Sequence, residues 1–251
     1  TVNISGNITE TISAVLSSGN WSSVLIRPSG GNSVTVTGSL STPLIDLNGA
    51  SNVLINGLNS GGNALVFTNA SQSATLASTI RLINGATSNT ITNCTVLGAS
   101  TSNTLGTIWF STAGTTGNNN NLVAVCNIGP SSGNPINGIL SSGTGTAANT
   151  GNTITANNIS DYFHPGVVTA GVFLNAASET WAITDNRLFQ TAARTYTSAQ
   201  THRAIHVNTG NGHTVSNNVI GYATSAGTGL TEMTSTVAIR YIGIHLAVGN
   251  T

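Results

Sequence analysis

One polar phrase recurs along the chain: "NTITNCTV" (89–96), "NTITANNIS" (152–160), "AITDNRLF" (182–189) and "HTVSNNVI" (213–220). Aligning the copies puts Ile91, Val123, Ile154, Ile183 and Val215 in one column, with successive spacings of 32, 31, 29 and 32 residues. A second column runs Ile45, Ile80, Ile108, Ile139, Val172, Ile205 and Ile244, spaced by 35, 28, 31, 33, 33 and 39. Recurrence at this period marks stacked units, each too small to bury a core without its neighbours. Within a unit the alternation has period two. In "TIRLIN" (79–84), Ile80 and Leu82 share one face and Arg81 the other; in "AIHVN" (204–208), Ile205 and Val207 bracket His206. No stretch of helical periodicity is long enough for a crossover, which excludes doubly wound and barrel α/β folds. An antiparallel sandwich would reverse direction between strands and lose the fixed order of the columns. The pattern predicts an all-β chain: a right-handed parallel β-helix, or solenoid, of roughly eight coils of about 30 residues. Residues 1–251 form one domain, and coils about 4.8 Å apart make a rod about 40 Å long.

The same alignment stacks Cys94, Cys126, Asn157, Asn186 and Asn218 at one bend, one per coil. Asn tolerates the left-handed backbone that a sharp bend needs. Its amide both donates and accepts, so a ladder of Asn can satisfy bend groups that would otherwise be buried unpaired. Cys94 and Cys126 become neighbours with no basic residue beside them, which favours stacked thiols over a reactive pair. A disulfide between their coils is the other arrangement that this spacing allows.

Charge narrows the partners. Charged residues make up 5% of the chain, the six basic residues are all Arg, and six acids balance them. Neither nucleic acid nor insertion into a membrane is expected of so neutral a chain without a long apolar run. No cofactor motif is present. A lysine-free composition rich in Ser, Thr and Asn points to an extracellular or cell-surface location.

Chemistry would have to sit on outward columns and loops. The residues next to the second apolar column are Asp46, Arg81, Trp109, Leu140, Phe173, His206 and His245. Asp46 and Arg81 should form a surface ion pair. Trp109, Phe173, His206 and His245 form an aromatic stripe suited to stacking on sugar rings or receiving a protein, unless long loops cover it. The two histidines lack a third ligand, so no metal centre is expected. The loops "SDYFHPG" (160–166) and "QTAARTYTSAQTHR" (190–203) gather Asp161, Tyr162, His164, Arg194, Tyr196, His202 and Arg203. A catalytic corner could be built there, with His164 or His202 as base and Arg194 beside it; the alternative is that these side chains pin the loops. The acids Glu10, Asp46, Asp161, Glu179, Asp185 and Glu232 do not recur on one face, as paired-carboxylate hydrolysis would require. Asp185 is expected on the inner side before the bend, and Glu179 in a turn.

Three stretches, "VLIRPSGGNSVTVTGSLSTPLIDLNGASNVLINGLNSGGN" (24–63), "STIRLINGATSNTITNCTVLGAS" (78–100) and "THRAIHVNTGNGHTVSNNVIGYA" (201–223), carry a resemblance. They resemble right-handed β-helix regions of large secreted, adhesin-like cell-surface proteins of the Bacteroidetes kind. Their coil architecture is also that of pectate-lyase-like enzymes, whose acid and base clusters this chain lacks. The resemblance implies a structural or adhesive role without catalysis. The chain opens inside a strand pattern, and "GIHLAVGNT" reads as a coil just begun. A segment of a longer chain, or a protomer that stacks head to tail through its ends into a filament or stalk, is therefore expected. The alternative is a β-helix that binds or cleaves polysaccharide, through the stripe or the His164/Arg194/His202 corner. The expected partners are thus other copies of the chain, a glycan, or a surface protein.

Overall fold

In a computed structural model that describes residues 1–31, 33–59 and 62–248, the chain winds as a parallel β-solenoid. Three sheets of eight strands run the length of the rod. The first extends from Val2–Ile4 to Thr214–Ser216, the second from Ile8–Glu10 to Val219–Tyr222, and the third from Ala14–Ser17 to Arg240–Leu246. Each coil adds one strand to each sheet, and each strand pairs in parallel with its equivalent on the next coil. Among the described residues there is no helix. The last three residues of "GIHLAVGNT" lie outside the described residues.

The two apolar columns are the registers of two sheets. Ile91, Val123, Ile154, Ile183 and Val215 pair in succession along the first sheet. Ile45, Ile80, Ile108, Ile139, Val172, Ile205 and Ile244 do so along the third. Mid-rod members such as Ile80, Ile139 and Ile205 are fully buried, each stabilising the fold by roughly 1.5–3 kcal/mol. Two Ile side chains per coil would not fill the interior alone. Leu65, Phe67, Val96, Ile128, Ile159 and Leu188 of the second sheet close the third side.

The bends follow the expected principle with a shift of one position. Cys126 N–H donates to Asn157 Oδ1 at 2.9 Å, Asn157 N–H to Asn186 Oδ1 at 3.0 Å, and Asn186 N–H to Asn218 Oδ1 at 3.0 Å. Each amide also donates back to a carbonyl of an earlier coil, as Asn157 Nδ2 does to Val123 O at 2.9 Å. The left-handed residue, however, precedes the ladder Asn: Asn93, Val125, Ala156, Asp185 and Asn217 have φ of 55–59°. The Asn side chain accepts the amide of the coil below, which requires its own backbone to enter the next strand. The strain therefore falls on the residue before it. Asp185 is consequently exposed at the bend, which corrects its placement on the inner side. Glu179 lies in a two-residue strand, Ser178–Glu179, paired with Asn149–Thr150, and not in a turn.

A second ladder occupies the bend before the first sheet. Val53, Asn89 and Asn121 donate their N–H groups to Asn89, Asn121 and Asn152 Oδ1, each at 2.9 Å. It ends at Trp181, whose Nε1 donates to Asn149 O at 2.8 Å. Cys94 and Cys126 are free, buried thiols at adjacent rungs of the first ladder. The hydrogen-bonded Cys126 thiol, and then burial, hold the Cys94 thiol well above its ordinary range. The open choice between thiols and disulfide is thus decided for thiols.

Candidate functional site

The outward column of the third sheet is assembled in the expected order, with Asp46, Arg81, Trp109, Leu140, Phe173, His206 and His245 facing their neighbours coil by coil. Its members do not share one environment. Asp46 and Arg81 form a bidentate pair, with Nε to Oδ1 at 2.9 Å and an Nη to Oδ2 at 2.6 Å. This is a largely buried pair and not the exposed one expected, because Asp46 is only 5% exposed. The Arg81 guanidinium also lies 5.7 Å from the Trp109 ring centroid. Leu140 is fully buried.

Beyond Leu140 the column becomes a stack of rings. Phe173 and His206 lie 4.4 Å apart at 12°, and His206 and His245 4.7 Å apart at 20°. Parallel strands in register put consecutive side chains directly over one another, so the rings meet face to face along the rod. The faces that a sugar would stack on are thereby used by the rings themselves, and the stripe presents its edges. His206 is 6% exposed, and burial first, then Arg203 and His245, lower its pKa to about 4. It is neutral at neutral pH. Both of its ring nitrogens are sealed from solvent without a hydrogen-bond partner.

Beside Phe173 and His206 opens a groove of about 400 Å³. Its polar wall is Asn103, Asn137, Gln200 and Arg203; its apolar wall is Val167, Val168, Ala170 and the edge of Phe173. Gln200 Nε2 is anchored on Gly166 O at 3.0 Å, and Asn137 Nδ2 on Leu105 O at 3.0 Å. No hydrogen bond or ion pair holds the Arg203 guanidinium among the described residues, and its Nε is buried without a partner. Burial, then the neighbouring Arg240, lowers the Arg203 pKa.

The sequence singled out Phe173 and His206 in the stripe and Arg203 in the loop corner, but not their meeting in one groove. Arg203 and His206 are three residues apart, which a regular strand puts on opposite faces. Here Ala204 and Ile205 are consecutive core residues, both fully buried. That break in alternation lets Arg203 and His206 line the same groove. The doubled "AI" of "HRAIHV" is the one signal that marks it.

The second expected site resolves into a closed network. Arg194 pairs with Asp161 and donates from Nε to Gln190 Oε1 at 2.8 Å. Asp161 also accepts from Thr191 N–H and Oγ1, each at 2.8 Å. His202 lies between Tyr162, at 5.0 Å, and Tyr241, at 5.6 Å, with Nδ1 2.7 Å from Thr169 Oγ1. Burial, then Arg194, lowers the His202 pKa to about 3. An imidazole so deeply neutral and so fully engaged suits a structural pin better than a proton shuttle at neutral pH. His164 accepts from Gly166 N–H at 3.1 Å, within its own turn, and among the described residues no hydrogen bond, ion pair or ring stacking joins it to Arg194 or His202. Arg194 and His202 meet at Gln190, whereas His164 is hydrogen-bonded within its own turn. The two buried carboxylates, Asp46 and Asp161, are both committed to arginines. Among the described residues no three His, Cys, Asp or Glu side chains gather as metal ligands. Compared with known proteins, the chain matches no family model, no curated sequence and no solved structure.

Proposed function

We propose that this chain is an extracellular adhesive β-helix, a rod whose third-sheet groove binds a glycan without cleaving it. The observation that supports this reading is the composition of the groove wall. It combines amides, a guanidinium, a neutral imidazole and aliphatic side chains, and it contains no carboxylate. Hydroxylated ligands are held by such groups, whereas glycoside cleavage uses a pair of acids. The rod is a suitable frame: the interior strands of its three long sheets are paired on both sides, and its bends are pinned by buried amides. Probing a glycan array with the intact protein, then recovering the bound glycan for mass spectrometry, tests the reading. Retention of an unaltered glycan is expected. Shortened or unsaturated products would assign the groove to catalysis instead.

A structural role at the ends of the rod is the second reading. At the end rungs, column members that are buried mid-rod are open: Val2 is 51% and Ile244 45% exposed. Further strands stacked there, from a continuous chain or another copy, would bury both. Electron microscopy at rising protein concentration distinguishes head-to-tail filaments from single rods.

A further inference from the structure

The groove contains a charge that the protein leaves uncompensated. Of the arginines on or near the third sheet, Arg81 is clamped by Asp46 and Arg194 by Asp161. Arg203 has no acid, and the charge that most affects it is a second cation, Arg240. Its Nε and both nitrogens of His206 are buried without partners. Those three atoms are sealed from solvent, but the terminal nitrogens of Arg203 are not, and they find no acceptor among the described residues. A guanidinium that lines a groove without an acid of its own points to a ligand that supplies acceptors.

We propose that the groove binds an oxyanion, carboxylate or sulfate, carried on a hydroxylated sugar ring, with the Arg203 guanidinium as the anion's partner. The proposal rests on the glycan-binding reading above and names the class of glycan. Arg203 presents a planar fork of donors that suits either oxyanion in a bidentate arrangement. The amides of the groove wall, Asn103 and Gln200 among them, match ring hydroxyls. Val168 and the edge of Phe173 provide an apolar wall for the C–H groups of the sugar. An acidic peptide would satisfy Arg203 but would not use the amide wall.

Calorimetric titration with three disaccharide probes, one carboxylated, one sulfated and one neutral, tests this in the wild type, Arg203→Gln and His206→Phe. At least one anionic probe should bind about tenfold or more tightly than its neutral counterpart, and Arg203→Gln should abolish that preference. The probe that keeps the preference in the wild type identifies the oxyanion. His206→Phe, which preserves the ring stack and replaces nitrogens that do not open on the groove, is the control and should leave the anionic preference in place. Circular dichroism of both variants verifies that the rod is intact. An Arg203→Gln variant that retains the anionic preference overturns the proposal, as does an acidic peptide that competes as well as the sugar. If neutral and anionic probes bind alike, the oxyanion fails while glycan binding stands. If no saccharide binds, both fail.

Discussion

Removing one amide from the first bend should cost far more than its exposed neighbour does. Asn157 is 1% exposed and makes three ladder contacts. Its Oδ1 accepts from Cys126 N–H at 2.9 Å, and its Nδ2 donates to Val123 O at 2.9 Å and to Asn186 Oδ1 at 3.0 Å. In Asn157→Ala, Asn186 Oδ1 keeps the backbone N–H of residue 157, which reaches it at 3.0 Å. Cys126 N–H loses its partner inside the rod, and Val123 O loses the Nδ2 donor. At about 1–3 kcal/mol for the stranded N–H, the loss is about 1–3 kcal/mol. The control is Asn127→Ala, one position beyond Cys126 but exposed, whose Oδ1 accepts from Asn158 Nδ2 at 2.8 Å. That change should stay within about 0.5 kcal/mol. A repeat array need not unfold in one step, so the assay pairs urea unfolding with amide hydrogen exchange. Exchange at Cys126 N–H should accelerate in Asn157→Ala while amides two coils away change little. Equal destabilisation by the two substitutions would refute the ladder as the source of bend stability.

Three further outcomes follow from the buried network and the ring stack. The His202 pKa is depressed to about 3 from an ordinary 6.5, so between these values the unfolded chain binds a proton that the folded one does not. The His202 contribution is then complete above about pH 6.5 and is lost by up to about 1.4 kcal/mol per unit on acidification towards pH 3, beside a second contribution from His206 that ends near pH 4; His202→Phe should reduce the slope above pH 4 and flatten it between about pH 4 and 3 in a pH series of thermal melts. Asp161→Asn removes the carboxylate facing Arg194 and should destabilise by about 3–5 kcal/mol in urea titration, since it leaves a largely buried guanidinium unpaired. His206→Phe removes two unpartnered nitrogens while keeping the contact with Phe173, and should raise the unliganded protein's stability by about 1–3 kcal/mol, measured by differential scanning calorimetry.

The fold was legible in the sequence because every coil answers to the same physical demands. A side chain such as Ile154 must face inward, stack on Val123 and be stacked on by Ile183, so the same residue type recurs at the same interval. The bend was legible in kind, through the Asn column, but displaced by one residue. Alignment finds the side chain that accepts the hydrogen bond, whereas the strained backbone sits at positions as unlike as Val125, Ala156 and Asp185. Those residues share a conformation and no chemistry, so no column reveals them. The second ladder was readable in the same way, as Asn89, Asn121 and Asn152, but its end at Trp181 interrupts the column.

The groove obeys the opposite logic. It exists because Ala204 and Ile205 break the alternation, and because residues 103, 167, 168 and 200 of the intervening segments meet beside the third sheet. Neither feature repeats, so the period that exposes the core says nothing about it. The same reasoning gives the non-repeating residues their significance. Backbone pairing makes the rod whatever the outward column carries, so the change from Asp46 to Arg81, Trp109, Phe173 and His206 along one register is not required by the coil. Arg81 is explained by Asp46 and the packing of Trp109 by Arg81. His206 is explained by the ring stack, where it lies between Phe173 and His245. Arg203 meets no acid among the described residues, and that is the ground on which an anionic ligand is proposed for it.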